Sequence, residues 1–215
     1  MLQHRFRPAS LVFQEVLDSG RLGEIQAASV RVPWWRSQAY YQELGRGTLA
    51  RDGGGVLLTQ AIHTLNLFQA LVGVKSVTAS VVRQTRLHQM ETEDHVSALL
   101  VLGHGAPGDL MATTAMFPGF PETIEVIGTL GSARLTGADL QVNFLQGEPL
   151  SVRSEGGTGS GVNMMDFSHE PHRDLLTDFI DAIEQTRAPR VTGEDALKTH
   201  LMIDELLRKG QASHA

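Results

Sequence analysis

The middle of the chain holds six short apolar segments, each separated from the next by a turn rich in glycine or proline. The segments are residues 76–85, 94–102, 109–116, 122–127, 132–135 and 140–144. Strands joined by tight turns pair with their neighbours, so this series predicts antiparallel hairpins. No helical segment interrupts it, which excludes an alternating β-α fold.

Helical patterns lie on both sides of the strand series. Apolar residues recur at helical spacing over 9–19 and 54–71, with a further strand predicted over 24–32 between them. Pro171 begins a third helix, and Thr192 is the predicted N-cap of a fourth that runs to Lys209. The third helix is expected to turn these side chains inward: Leu175, Leu176, Phe179, Ile180 and Ile183.

These elements predict one α+β domain over residues 1–215, an open and mainly antiparallel β-sheet with helices packed on one face. Such a sheet leaves its other face uncovered. A second copy of the chain is the simplest cover, so we expect a homo-oligomer, either a dimer or a tetramer.

Composition excludes several classes of function. The chain has no cysteine, so disulfides and zinc-thiolate sites are excluded. Its formal net charge is -6, which argues against nucleic-acid binding through phosphate neutralisation. No run of about 18 uninterrupted apolar residues predicts a membrane span. The first residues lack the apolar core of a signal peptide, so we expect a cytoplasmic protein. Residues 155–161 are rich in glycine and serine, which predicts a mobile segment.

Three consecutive glycines, Gly53 to Gly55, stand before the longest predicted helix. They favour a place where something approaches the backbone closely, because each glycine costs a helix backbone entropy. Beyond them Thr59, His63 and Asn66 fall at i, i+4 and i+7. This spacing predicts one polar stripe on an apolar helix, facing away from the core together with the glycines.

His63 is the candidate catalytic residue of this stripe. An imidazole with a pKa of about 6.5 suits proton exchange near neutral pH. The alternative is a histidine packed at a boundary with its hydrogen bonds satisfied. Asp52 is either a substrate ligand or an ordinary N-cap before the glycines, and the pattern favours the cap.

The segment 34–52 is aromatic and has no clean period, which is typical of an ordered functional loop. Trp34 and Trp35 are expected to pack against protein. Arg36 and Tyr40 could either pack in the same way or stack on, and hydrogen-bond to, a sugar nucleotide.

Two motif-like strings do not carry the chemistry they suggest. The glycines at 103–108 match a dinucleotide-binding string, but they join two predicted strands and predict a hairpin turn. His169 and His172 flank Pro171, which prevents them from sharing a continuous helix as zinc ligands. No metal site is therefore expected.

The ordered set of motifs resembles the C-terminal domain of the Gfo/Idh/MocA oxidoreductases, the glucose–fructose oxidoreductase, inositol dehydrogenase and rhizopine catabolism family. The likeness rests on QHRFRP (3–8), GRLGEI (20–25), DGGGVLLTQAIH (52–63), EVIGTLGS (125–132), DFIDAI (178–183) and RAPRVTGED (187–195). It covers nearly the whole chain. The tyrosine pair at 40–41, followed by GRGT and DGGG, looks most like the branch that oxidises UDP-N-acetylglucosaminuronic acid.

The resemblance implies specific roles for individual residues. His63 matches the family's active-site histidine, and Thr59 stands where the family usually has Asp or Asn. A threonine can hydrogen-bond a substrate hydroxyl but cannot act as a base. The residues expected to bind a small sugar-type substrate are Thr59, Arg36, Tyr40, Asp52 and Gln60.

The family's Rossmann domain, which holds NAD or NADP and a catalytic lysine, would lie before Gln3. No cofactor-binding residue is therefore assigned in this chain, and we expect the chain alone to be inactive. A different class of function also fits the residues: a sugar-binding or assembly module that has lost catalysis, with Thr59 as a sign of that loss. A zinc-dependent isomerase is a third and weaker alternative.

Overall fold

A computed structural model describes residues 2–153 and 168–212 of the chain. The glycine- and serine-rich segment 155–161 lies outside these residues. Elements of the described part are a 3-10 turn Gln3–Phe6, α1 Pro8–Asp18, β1 Ile25–Pro33, α2 Gln38–Tyr41, α3 Leu49–Asp52, a π-helical turn Leu57–Ala61 that continues into α4 Ile62–Val72, β2 Val74–Arg83, β3 His95–Leu102, β4 Pro107–Thr113, β5 Thr123–Gly128, β6 Gly131–Thr136, β7 Asp139–Phe144, β8 Leu150–Val152, α5 Glu170–Glu184 and α6 Gly193–Ala212.

The strands form one open eight-stranded sheet in the order β2-β3-β4-β1-β5-β6-β7-β8. All neighbouring pairs are antiparallel except β1 and β4, which are parallel. The first strand of the chain therefore lies in the centre of the sheet, between two antiparallel blocks. The predicted α+β class and the mainly antiparallel sheet are confirmed.

Alternating side chains along each strand separate a covered face from an open face. In β6, Gly131, Ala133 and Leu135 are buried while Ser132 and Arg134 are exposed. The covered face packs on α1 along β6 to β8, on α4 along β1 and on α6 along β2. The open face is mixed in character: Ser29 donates to Glu125, and Leu99 is 58% exposed in the isolated chain.

The predicted strands all form, with ends that shift by up to three residues. The hairpin predicted at 103–108 is confirmed, because the Leu102 N–H donates to the Ala106 carbonyl at 2.8 Å and Gly105 has φ of 87°. Sequence reasoning missed β8, a strand of three residues, and the two single-turn helices α2 and α3 inside the aromatic loop.

One prediction about α5 is wrong. The apolar side chains assigned to its inner face are largely exposed among the described residues: Leu176, Phe179, Ile180 and Ile183. Only Ala182 of this helix is fully buried. The helix packs mainly against the 3-10 turn Gln3–Phe6 rather than on the sheet, so its wide apolar face has too little surface to cover it.

The segment Leu49–Val72 is long and apolar enough to cross a membrane by length and composition alone. Its most apolar window is 67% buried inside the domain, however. Its π-helical turn and α4 together, residues 57–72, are the core helix of the fold.

Candidate functional site

The three glycines place the start of the core helix against a carboxylate of the same chain. The Glu93 side chain accepts the Gly55 N–H at 3.0 Å and the Leu57 N–H at 3.2 Å, while its own carbonyl accepts the Val56 N–H at 2.9 Å. A Cβ at Gly55 would lie 1.8 Å from the Glu93 carbonyl oxygen. The close approach predicted for the glycines is therefore made by Glu93, and Gly54 and Gly55 are buried rather than facing outward.

Glu93 supplies the negative charge that a helix N-terminus attracts. Burial raises the pKa of its carboxyl, although the backbone N–H donors oppose that rise. Sequence reasoning missed this residue because it lies 38 positions after Gly55. A buried Glu-Asp pair immediately before a strand was the available signal.

Asp52 does not cap the core helix, so that prediction is wrong. It is the last residue of α3, and Gly53 follows in a left-handed conformation with φ of 72°. The Asp52 carboxylate accepts the Gly47 N–H at 2.7 Å and lies 3.7 Å from the Arg51 guanidinium. Asp52 therefore closes the loop 45–52, because its carboxylate at the end of the loop binds a backbone N–H near the beginning of the loop.

Tyr40 is the centre of a polar cluster that includes four of the predicted substrate ligands, Tyr40 itself among them. Its hydroxyl accepts from Arg46 at 2.6 Å and from the Gln60 amide at 3.3 Å. The guanidinium carbons of Arg46 and Arg36 lie 4.2 and 5.8 Å from the centre of its ring. Thr59 joins the cluster through its hydroxyl, which has one proton to donate and lies within hydrogen-bonding distance of two acceptors, the Gln60 side-chain oxygen and, at 2.7 Å, the Gly55 carbonyl.

The buried Arg36 carries positive charge into this cluster. Burial lowers the pKa of its guanidinium, while Tyr40 and Tyr41 oppose that change. The side chain donates to the Trp35 carbonyl at 2.7 Å and lies 5.2 Å from the Trp34 ring. Both tryptophans pack against protein: Trp34 donates to Glu122, and Trp35 contacts His88 and Phe117.

A buried ion pair beneath the loop fixes the position of Arg36. His88 Nδ1 lies 2.6 Å from Asp94, and His88 Nε2 donates to the Arg36 carbonyl at 2.8 Å. Burial lowers the pKa of His88, but its bonds to Asp94 and to the Arg36 carbonyl outweigh burial and raise that pKa overall. The same contact, with donors from Thr85, holds the pKa of Asp94 below its usual value despite burial.

His63 follows the cluster by one turn, at the second residue of α4. Its ring centre lies 5.4 Å from that of His4, in the 3-10 turn. Thr59, Gln60 and His63 therefore lie on consecutive turns at the N-terminal end of the core helix. The π-helical turn that carries Thr59 and Gln60 uses wider hydrogen bonding than an α-helix, a feature often found at functional sites.

Asn66 does not belong to the polar stripe, so this part of the prediction is wrong. It is 1% exposed, and its amide donates to the Thr199 hydroxyl at 3.0 Å and to the Asp195 carbonyl at 3.4 Å. The helix α6 packs over this side of α4, whereas the sequence pattern shows only that the residue is polar.

The described residues hold no group of three or more His, Asp or Glu side chains arranged for a metal ion. They also hold no glycine-rich βα turn that would cradle a dinucleotide, because the string at 103–108 closes a β-hairpin. What they place at the start of the core helix is a cluster of a hydroxyl, an amide, a phenol and two guanidinium groups, with the imidazole of His63 one turn further along the helix. Such a set can hydrogen-bond a polyhydroxylic or anionic molecule and exchange one proton with it.

Residues 11–134 match the model of the GFO/IDH/MocA C-terminal domain. The chain belongs to this family. The Rhizobium meliloti (strain 1021) inositol 2-dehydrogenase is 24% identical to it over 217 residues, which cover 95% of this chain and 60% of that protein.

Solved structures of dehydrogenases share the fold. The WlbA dehydrogenase from Bordetella pertussis, in complex with NADH and UDP-GlcNAcA, has a TM-score of 0.80 at 22% identity, with 98% of this chain and 60% of that chain covered. Levoglucosan dehydrogenase in complex with NADH and L-sorbose has a TM-score of 0.84 at 19% identity, with 98% and 63% covered. The chain thus spans about three fifths of the length of the relatives it matches.

Proposed function

We propose that this chain is the substrate-binding and oligomerisation domain of a longer NAD(P)-dependent dehydrogenase that oxidises a secondary alcohol of a sugar or inositol. Membership of the family and the names of its dehydrogenase relatives support this proposal. The observation that carries it is the run of Thr59, Gln60 and His63 along the start of the core helix, beside Tyr40 and the buried Arg36.

In this proposal His63 accepts the proton that leaves the substrate hydroxyl. An imidazole that is uncharged at neutral pH can take a proton from a hydroxyl and return it to water. The nucleotide that accepts the hydride would be held by sequence outside the matched region, since the described residues have no cradle for it.

The polar cluster around Tyr40 would orient the substrate. Gln60 and Thr59 can exchange hydrogen bonds with sugar hydroxyls, and the guanidinium groups of Arg36 and Arg46 can pair with a carboxylate or phosphate. A nucleotide sugar that carries a carboxylate, such as UDP-N-acetylglucosaminuronic acid, would satisfy both kinds of group. Asp52 acts indirectly in this scheme, by fixing the loop that carries Arg46.

The open face of the sheet would form the subunit interface. Three apolar side chains on it are substantially exposed: Val81, Leu99 and Ile127. Burial of this apolar surface favours association, so we expect a second copy of the chain to cover this face in a homo-oligomer in the cytoplasm.

The proposal is tested with the gene that encodes this chain, read together with the reading frame before Met1. An in-frame dinucleotide-binding segment would provide the protein for a screen of UDP-sugars and inositols, with NADH or NADPH absorbance as the signal. We expect reduction by the longer protein and none by the 215-residue chain. Turnover by the 215-residue chain alone would refute the division of labour between the two parts.

A second candidate function, a sugar-binding module without catalysis, rests on Thr59. Its hydroxyl lies within hydrogen-bonding distance of the Gly55 carbonyl and the Gln60 side-chain oxygen, so it is engaged with its own helix. Sugar binding by a longer protein that reduces neither nucleotide would favour this alternative, and turnover by a longer protein that keeps Thr59 would argue against it.

A further inference from the structure

The 3-10 turn at the start of the chain inserts a second imidazole beside the candidate catalytic histidine. His4 is 4% exposed, and its ring is tilted 43° to the ring of His63 at 5.4 Å. The two histidines are 59 residues apart along the chain, so only the fold brings their rings together.

Arg7 fixes the orientation of His4. One guanidinium nitrogen of Arg7 lies 2.7 Å from His4 Nε2, and the other donates to Glu122 at 2.7 Å and to the Gly137 carbonyl at 3.1 Å. A guanidinium group can only donate, so His4 Nε2 must accept with its lone pair. The proton of the His4 ring is therefore on Nδ1, which faces the Thr64 hydroxyl at 3.5 Å.

The charges around His4 keep it neutral from every side that the described residues form. Burial lowers the pKa of His4 well below its usual value, and Arg7, His63 and His172 lower it further. His172 approaches from α5, Arg7 from the turn before α1, and His63 from α4. The carboxylate of Glu122 reaches His4 only through Arg7.

We propose that His4 is a positioning residue for His63, held rigidly by Arg7 and Glu122 so that its uncharged ring packs against the His63 ring and restricts it to one orientation. A proton acceptor works only when its lone pair points at the substrate. An uncharged His4 also does not compete with His63 for the proton that leaves the substrate. The functional part of this inference rests on the proposed role of His63.

The competing interpretation is a buried polar network that stabilises the fold and has no influence on His63. Both interpretations predict that loss of His4 destabilises the chain, so stability alone cannot separate them. They differ in the behaviour of the His63 ring once His4 is replaced.

The test is a pH titration of the histidine rings by two-dimensional ¹H–¹⁵N NMR on the ¹⁵N-histidine-labelled chain. In the wild-type chain we expect His4 to keep its proton on Nδ1 and to remain uncharged at pH values well below the usual histidine pKa of about 6.5. A His4 that titrates near the usual value would overturn the proposal without any variant.

The decisive variant is His4→Gln, whose side-chain oxygen can still accept from Arg7 but which has no ring. We expect the pKa of His63 to rise, since water replaces the ring and favours the charged form, and we expect the His63 tautomer ratio to change. His104→Gln, at an exposed turn between β3 and β4, is the matched control and should leave both readings unchanged.

An unchanged His63 titration and tautomer ratio in folded His4→Gln would overturn the proposal. If His4→Gln does not fold, His4→Phe keeps a ring at the position and is expected to keep the His63 tautomer; a changed tautomer there overturns the proposal. These readings come from the isolated chain. They therefore stand apart from any dehydrogenase assay, and failure of the proposed function would be recognised separately.

Discussion

Replacement of Gly55 by alanine should unfold the start of the core helix far more than the same change at its two glycine neighbours. The new Cβ at Gly55 would lie 1.8 Å from the Glu93 carbonyl oxygen and 2.6 Å from the Glu93 carboxyl carbon. The Glu93 backbone must move away, and the Glu93 carboxylate must move from a position in which it accepts the Gly55 and Leu57 N–H groups.

The magnitude follows from what that movement breaks. Overpacking costs about 1–3 kcal/mol, and the loss of one hydrogen bond to a charged group costs a further 1.5–3 kcal/mol or so. We therefore expect Gly55→Ala to lower the free energy of unfolding by about 2.5–6 kcal/mol, the sum of the cost of overpacking and of one lost bond.

The neighbouring glycines are matched controls. Gly53 has φ of 72° but open space around a Cβ, so Gly53→Ala should cost only the left-handed strain of about 1–2 kcal/mol. At Gly54 the Cβ would meet the end of the Leu58 side chain at 2.6 Å, and a rotamer change can relieve that contact. Gly54→Ala should therefore cost less than Gly55→Ala.

The assay is urea denaturation of the three variants followed by circular dichroism. With a slope of about 1–3 kcal/mol per molar urea, a loss of about 4 kcal/mol moves the midpoint by more than about 1 M. A Gly55→Ala midpoint equal to that of Gly53→Ala would show that the close contact with Glu93 adds no cost beyond the backbone strain at Gly53.

Three further predictions follow from other contacts. The His88–Asp94 pair should stabilise the chain most at pH values between the two folded-state pKa values. Because the pKa of His88 is raised, the contribution of His88 is lost as pH rises through its folded-state pKa. Because the pKa of Asp94 is lowered, the contribution of Asp94 is lost as pH falls through its folded-state pKa. Thermal unfolding from pH 3 to 9 should show a stability loss at both ends, and a flat alkaline side for the wild-type chain would contradict the first assignment. Asn66→Ala should cost about 1 kcal/mol through the lost bond to Thr199, and no change in urea midpoint would show that the bond is not formed. Leu99→Glu, on the open face, should reduce the oligomer size measured by light scattering, and an unchanged size would place the interface elsewhere.

The sequence predicts the fold of this chain better than its site. Alternating strands and turn residues between 76 and 144 determine an antiparallel sheet locally, because each hairpin is set by its own few residues. The parallel pairing of β1 with β4 is not visible in this way, since it joins residues about 80 positions apart, such as Ala28 and Gly108.

Errors in the site share one physical origin. The sequence pattern predicts that Asn66 and the glycine run face outward. In the structure each meets a partner that is distant along the chain: Thr199 for Asn66 and Glu93 for Gly55. The prediction for α5 is wrong in the opposite sense, since it gives burial where the structure shows exposure. An amphipathic pattern shows which face of a helix is apolar and not whether another element covers that face. The link between Tyr40 and Gln60 brings two predicted ligands together, as the aromatic loop folds back on the core helix.

The role of His63 is tested by kcat/KM for sugar oxidation, compared between the wild type and His63→Ala. The protein used is the longer one, which carries this domain together with its nucleotide-binding part. General acid–base catalysis contributes about 10²–10⁴-fold, so the account predicts a loss of at least about 100-fold, with an unchanged rate in the surface control His104→Ala. A His63→Ala enzyme that retains wild-type kcat/KM would contradict the assignment of His63 and the functional site built around it.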